Sequence, residues 1–387
     1  MTTSLCHYLL VSLALGAVVS GASEQRASGR IARSRSQFTQ IPEDYAVGIL
    51  SKLFQNECKE MYRNYTNPEA FDDWDSGHVH ASNLASCIFD HLPEWAKSEF
   101  TTVSIALGLI PPTLLLLGPD TTGLALLSMR RPVLASLLAF GSPVIRVGPD
   151  PVKVLRSAPK VKFAAPYITA RPGDRNWRRW ALMVAISVAE YIIAAAAVFN
   201  VGYHVWFLTY QAVCWAAIQL FQTTLLPETA APLFWVLFGV PVKFMCDYAV
   251  RWRVQKATHG GSVSGARSRG AIQHFVSWVS NSTSSELTPY MYSTPVYFHG
   301  VDEGLAWLVF DRFISLASLA HVLMGGIILS TMFFVGFRKA LVAVTCFLSG
   351  ALACRFVVSF ELYWMRRSAS EIPSESWYET VSVGKRF

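Results

Sequence analysis

The sequence predicts an all-α, multi-pass transmembrane protein with a small disulfide-stapled helical lumenal cap, and three observations carry that prediction. Hydrophobic residues make up 52% of the chain and charged residues 15%, whereas soluble domains carry about 25% charged residues. The apolar residues are gathered into blocks long enough to cross a bilayer. Cys58 and Cys87 stand alone between a secretory-type leader and the first of these blocks. The net charge of +7 is placed beside apolar blocks, which suits a lipid bilayer surface. No stacking module or basic helix face points to nucleic acid.

The order begins with Tyr8 to Ser20, an apolar run followed by Gly21, Ala22 and Ser23. This is the pattern of a signal peptide over residues 1–23. Residues 24–40 are basic and polar, the composition of a disordered segment.

Residues 41–100 read as the cap. Tyr45, Ile49, Leu50, Leu53, Phe54 and Met61 recur at helical spacing in a helix that also carries Cys58. A polar turn follows from Asn64 to Gly77. Ser82 or Asn83 then caps a second helix bearing Leu84, Cys87 and Ile88. An oxidising compartment pairs Cys58 with Cys87. Closing a loop of about 30 residues contributes roughly 3–4 kcal/mol to so small a unit. Asn64-Tyr65-Thr66 is a glycosylation acceptor. The nearby Asp72, Asp73, Asp75, His78 and His80 match neither a calcium loop nor a His-Glu-x-x-His site, so they read as a solvated turn. No metal and no cofactor is expected.

Residues 101–118 form the first span, with Trp95 and Phe100 as its outer aromatic anchor and Pro111-Pro112 as a kink. The apolar patch after it is broken by Arg130-Arg131-Pro132. Two arginines inside a spanning helix would cost at least about 2.5 kcal/mol each. The linker from Arg146 to Arg179 is strongly basic and opposed only by Asp150 and Asp174, which makes it cytoplasmic. One crossing then separates it from a lumenal cap. Residues 119–179 are thus a cytoplasmic-face re-entrant or interfacial element, including 132–147, followed by the basic linker.

The run Leu114 to Ala135 (LLLLGPDTTGLALLSMRRPVLA) resembles a block in a broad group of uncharacterised multi-pass membrane proteins of filamentous fungi, with the pattern LGP-(polar)-LALLS-x-RRP-LLA. The resemblance extends over about Glu94 to Arg367. It implies a basic linker followed by further spans, and it brings no catalytic residue, because the group has no assigned activity.

Residues 180–199 form the second span and hold Glu190, an intramembrane acid and so a candidate relay or interhelical hydrogen-bonding group. Residues 200–228, with His204, Gln211 and Gln219, read as interfacial. The third span, 229–248, holds Lys243 and Asp247 at i and i+4, where the two can neutralise each other. A cytoplasmic loop of residues 249–312 contains a Gly/Ser-rich stretch and a second acceptor at Asn281. Residues 313–336 and 339–360 form a hairpin of spans four and five. Ala317, His321 and Gly325 in one, and Cys346, Gly350 and Cys354 in the other, offer close-packing faces. Such faces also leave room for a helix-mediated homo- or hetero-oligomer. Arg355 is expected to snorkel toward the Arg366 and Arg367 end, and residues 361–387 form a cytoplasmic tail.

Three functions follow for a protein of the secretory or plasma membrane with its N-terminus lumenal or extracellular and its C-terminus cytoplasmic. A structural or sensing protein leads, because no motif exceeds packing and topology. A small-solute or ion transporter or channel would use the intramembrane polar residues Glu190, His321, Lys243 and Asp247. A membrane-embedded enzyme ranks third, because nucleophile, base and orienter do not stand together.

Overall fold

The computed structural model describes Phe38, residues 52–66, 76–148, Val154, 177–216, 231–258, 286–289 and 305–370. The signal peptide, most of the basic linker, Asp72, Asp73, Asp75, the Gly/Ser-rich stretch, Asn281 and the tail beyond 370 lie outside the described residues. The structure is mostly helical. Helices α1 (Lys59–Thr66) and α2 (Ser76–His91) form the cap. α3 (Glu94–Gly108), α4 (Ile110–Leu117), α5 (Thr121–Ser128) and α6 (Pro132–Gly141) follow in close succession. α7 (Trp177–Tyr210), α8 (Ala231–Thr258), α9 (Leu305–Ser330) and α10 (Phe337–Ser370) are long. Two short strands, β1 (Val213–Cys214) and β2 (Met332–Phe333), pair antiparallel and tie the end of α7 to the end of α9.

Among the described residues, five helical units are long and apolar enough to cross a membrane: α3 with α4 as one unit, α7, α8, α9 and α10. They close into a ring in which each packs on its two neighbours, in the order α3/α4, α9, α8, α7, α10. Helices α5 and α6 pack on the α7, α8 and α10 side of the ring. At eight and ten residues they extend only about 12 and 15 Å, half or less of a hydrocarbon core of about 30 Å. Every residue of α5 is buried. α5 packs against α8 and α10, and α6 against α7 and α10.

The surface of the ring is apolar at helical spacing. Leu316, Leu319, Leu323 and Ile327 make an exposed stripe along α9, and Ile192 and Phe199 stand out from α7. Trp177 and Trp180 are exposed at the start of α7. Water would not tolerate so much contiguous apolar surface, whereas lipid does.

The cap sits on one end of the ring. The Cys58–Cys87 disulfide joins α1 to α2, with a Cα–Cα distance of 6.0 Å. Its core continues into the bundle through Phe100, Val213 and Phe334. Phe334, at φ 63°, presents its ring to Phe38, Phe89 and Phe100. Tyr62 stacks on Phe54 at 4.6 Å, and burial raises its phenol above the ordinary tyrosine range.

Several expectations need correction. The first cap helix is interrupted by a turn at 56–58, and Asn64 belongs to α1 instead of a turn. α2 starts at Ser76, upstream of Ser82 and Asn83. The break in the first span falls at Leu109, just before the prolines. Pro111 and Pro112 then occupy the first turn of α4, where missing N–H groups matter least. Residues 200–210 continue α7 without a break, up to Tyr210, and Asn200 Nδ2 donates to Cys346 O at 2.6 Å. α9 and α10 do not form a packed hairpin, because α3 and α4 stand between them in the ring. Their small residues serve other neighbours. A Cβ on Gly325 would lie 2.3 Å from Trp235 Nε1 of α8, and one on Gly141 would meet Ala197 and Cys354 at 2.8 Å.

Candidate functional site

The turn between α5 and α6 delivers Arg131 into the protein interior. Pro132 opens α6, and a residue before proline is pushed out of helical geometry. Arg131 is therefore the N-cap residue, and its side chain leaves the helix axis for the space between α7 and α10. The residue is 0% exposed. Its Nη1 donates to the carboxylates of Glu190 on α7 and Glu361 on α10, the latter at 2.6 Å. Nη2 donates to Ser187 Oγ at 2.8 Å, and Nε donates to the backbone carbonyl of Glu286 at 2.9 Å. The guanidinium also lies 5.6 Å from the centre of the Tyr191 ring.

Glu286 completes this joint in a second way. Its Oε1 accepts from the Val133 backbone N–H at 2.8 Å, and its other carboxylate oxygen accepts from Tyr191 OH. A carboxylate at the N-terminus of α6 satisfies an orphan donor and matches the helix dipole. No buried partner was expected for Arg131 in the re-entrant or interfacial cytoplasmic-face element, and residues 249–312 were expected as a cytoplasmic loop. The structure instead buries Arg131 and brings Glu286 against it. The burial is tolerated because partners from three separate chain segments take the guanidinium's hydrogen bonds.

A second polar group lies at the other end of α6. Lys243 donates its ammonium to the carbonyls of Ala139 and Ser142, where the last turn of a helix leaves acceptors unfilled and favours a cation. Lys243 therefore does not pair with Asp247, as its i, i+4 spacing suggested. Asp247 accepts from Ser128 Oγ at the end of α5. His321 Nε2 lies 3.2 Å from Pro143 O, and the ring stacks on Trp235 and Phe238 at 5.7 and 6.3 Å. Ser318 Oγ donates to Ile145 O.

The four candidates Glu190, His321, Lys243 and Asp247 thus all contact the segment 128–143, but at different points. Glu190 holds the N-terminal end of α6, while Lys243 and His321 hold its C-terminal side. Among the described residues no hydrogen bond or ion pair joins Glu190 to His321.

In the cap, His91 Nδ1 stands 2.9 Å from Cys87 O, and its ring nitrogens cluster with the sulfurs of Cys58 and Cys87. The disulfide removes both thiolates, so this cluster offers no metal site.

Comparison with protein families, with curated proteins and with solved structures finds no match for this chain.

Sequence reasoning singled out Glu190 but missed Glu361, Glu286, Ser187 and Tyr191 as its neighbours. One signal was present. Glu361 lies in the apolar run Phe356 to Met365, where an acid calls for a buried cation. Arg131, in the Arg130-Arg131-Pro132 break of the apolar patch, was the matching partner.

Proposed function

We propose that this chain is a multi-pass integral membrane protein of the secretory pathway or plasma membrane with a structural or sensing role. The observation that carries this reading is the commitment of Glu190, the intramembrane acid, to Arg131 within a fully buried joint. A relay needs a carboxylate that changes partners along an open route. This one is tied to the part that locks α6 to α7 and α10. His321, the second group a transport route would use, is occupied elsewhere with Pro143.

The five long helices and their exposed apolar stripes support insertion in lipid. An odd number of crossings puts the cap and the end of α10 on opposite sides. Basic residues Arg251, Arg253, Lys256, Arg366 and Arg367 follow directly on the apolar runs of α8 and α10 in the sequence, which supports a lumenal cap and a cytoplasmic C-terminus. In this reading α5 and α6 form a re-entrant hairpin enclosed by the ring, a place where non-spanning helices are tolerated in a membrane.

Reconstitution in vesicles tests the proposal. Glu190→Gln is expected to leave solute and ion flux at the level of protein-free vesicles, as is the unaltered protein. A flux through the unaltered protein that Glu190→Gln abolishes would replace this reading with transport. Glycan mapping tests the threading separately: modification at Asn64 agrees with it, and modification at Asn281 reverses it.

A further inference from the structure

Two carboxyl groups meet at one nitrogen. Glu190 Oε2 and Glu361 Oε1 both accept from Arg131 Nη1 at no more than 2.6 Å, so these oxygens are at most about 5 Å apart, twice the longer bond. Both residues are at least 95% buried. Two carboxylates at such a separation in a medium of low polarity do not both ionise, because each charge raises the cost of the other.

A second observation concerns the donors around Glu190. An ionised carboxylate has about four lone-pair positions to fill. Among the described residues no group hydrogen-bonds the buried Glu190 Oε1, which is a poor setting for an anion and an acceptable one for the carbonyl oxygen of an acid. The other charged and titratable groups around the pair do not fill this gap. Arg131 gives it one nitrogen, and Tyr191 donates to Glu286. The Glu286 carboxylate has its own donors, Tyr191 and the Val133 N–H. Arg130 lies half-buried in the same turn.

We propose that Glu190 and Glu361 hold a single proton between them on Arg131, so that the joint of α6, α7 and α10 is a buried proton-binding site. The pair gains or loses that proton as a unit. With the proton present, one guanidinium faces one net carboxylate charge. With it absent, the joint carries an excess negative charge and its hold on the hairpin weakens. This site is independent of whether the protein transports anything, because it requires only that the proton be bound.

Infrared spectroscopy of the full-length protein in detergent at neutral pH tests the site, with glutamate isotopically labelled at the side-chain carboxyl. The expected result is a label-sensitive carboxylic-acid C=O band, absent from both Glu190→Gln and Glu361→Gln. Glutamine imitates a protonated glutamate in shape and neutrality, so both variants are expected to fold and keep the thermal midpoint close to that of the parent. A parent protein with no label-sensitive acid band overturns the proposal, and so does a band that persists unchanged in both variants. Should Glu190→Gln fail to fold, Glu190→Asp keeps an acid in place and is expected to shift or split the band. An unchanged band there also overturns the proposal.

Discussion

Arg146 and Arg355 converge on one acceptor, the carbonyl oxygen of Leu116, at 3.1 and 2.8 Å. Leu116 lies in the last turn of α4, where carbonyls lack intrahelical donors and the dipole favours cations. Arg355 was expected to reach toward Arg366 and Arg367, but it closes the end of α4 instead. Because either arginine can serve that carbonyl alone, Arg146→Ala and Arg355→Ala are each expected to cost less than half of what the double variant costs. A coupling of about 0.5–3 kcal/mol in a double-mutant cycle of detergent unfolding checks this, and strict additivity would contradict it.

Arg131→Met is expected to be among the most destabilising single changes in the chain, at about 3–5 kcal/mol, because it strands buried carboxyl groups. Adding Glu190→Leu and Glu361→Leu removes the stranded groups and is expected to recover most of that loss. Thermal unfolding of the single and triple variants, compared side by side, decides the matter.

Gly325→Ala probes the crossing of α8 and α9. Its Cβ would fall 2.3 Å from Trp235 Nε1, and the large indole, 1% exposed, has no room to retreat. Overpacking of this kind costs about 1–3 kcal/mol. Pairing it with Trp235→Phe is expected to restore stability, measured again by unfolding.

Removing the disulfide with Cys58→Ala and Cys87→Ala is expected to cost the cap about 3–4 kcal/mol while leaving the ring intact. Limited proteolysis is the direct readout: cleavage within residues 52–91 accelerates, and the fragment from Glu94 onward survives.

The parts of this protein that were legible in its sequence depend on local pattern. Blocks such as residues 180–199 announced themselves by length and apolarity, and Cys58 with Cys87 was the one available pair on its side of the first span. The parts that were not legible depend on distant partners. His204 resembled an interface residue, yet it is buried at 5.8 Å from the ring of Phe347, 143 positions away. The arginine at 131 looked too costly to bury because its partners are 56, 59, 155 and 230 positions downstream. Lys243 and Asp247 had the right spacing to pair, but the open ends of α6 and α5 gave each a nearer acceptor or donor.

The reach of that joint also sets an order of events during synthesis. Arg131 leaves the ribosome 230 residues before Glu361, an interval of roughly 10–50 s at ordinary elongation rates. Throughout that time the tip between α5 and α6 lacks its last anion, and any chain ending before Glu361 lacks it permanently. The hairpin is packed on all of its sides only when α10 arrives, so the last of the described helices closes the joint that the tip between α5 and α6 began.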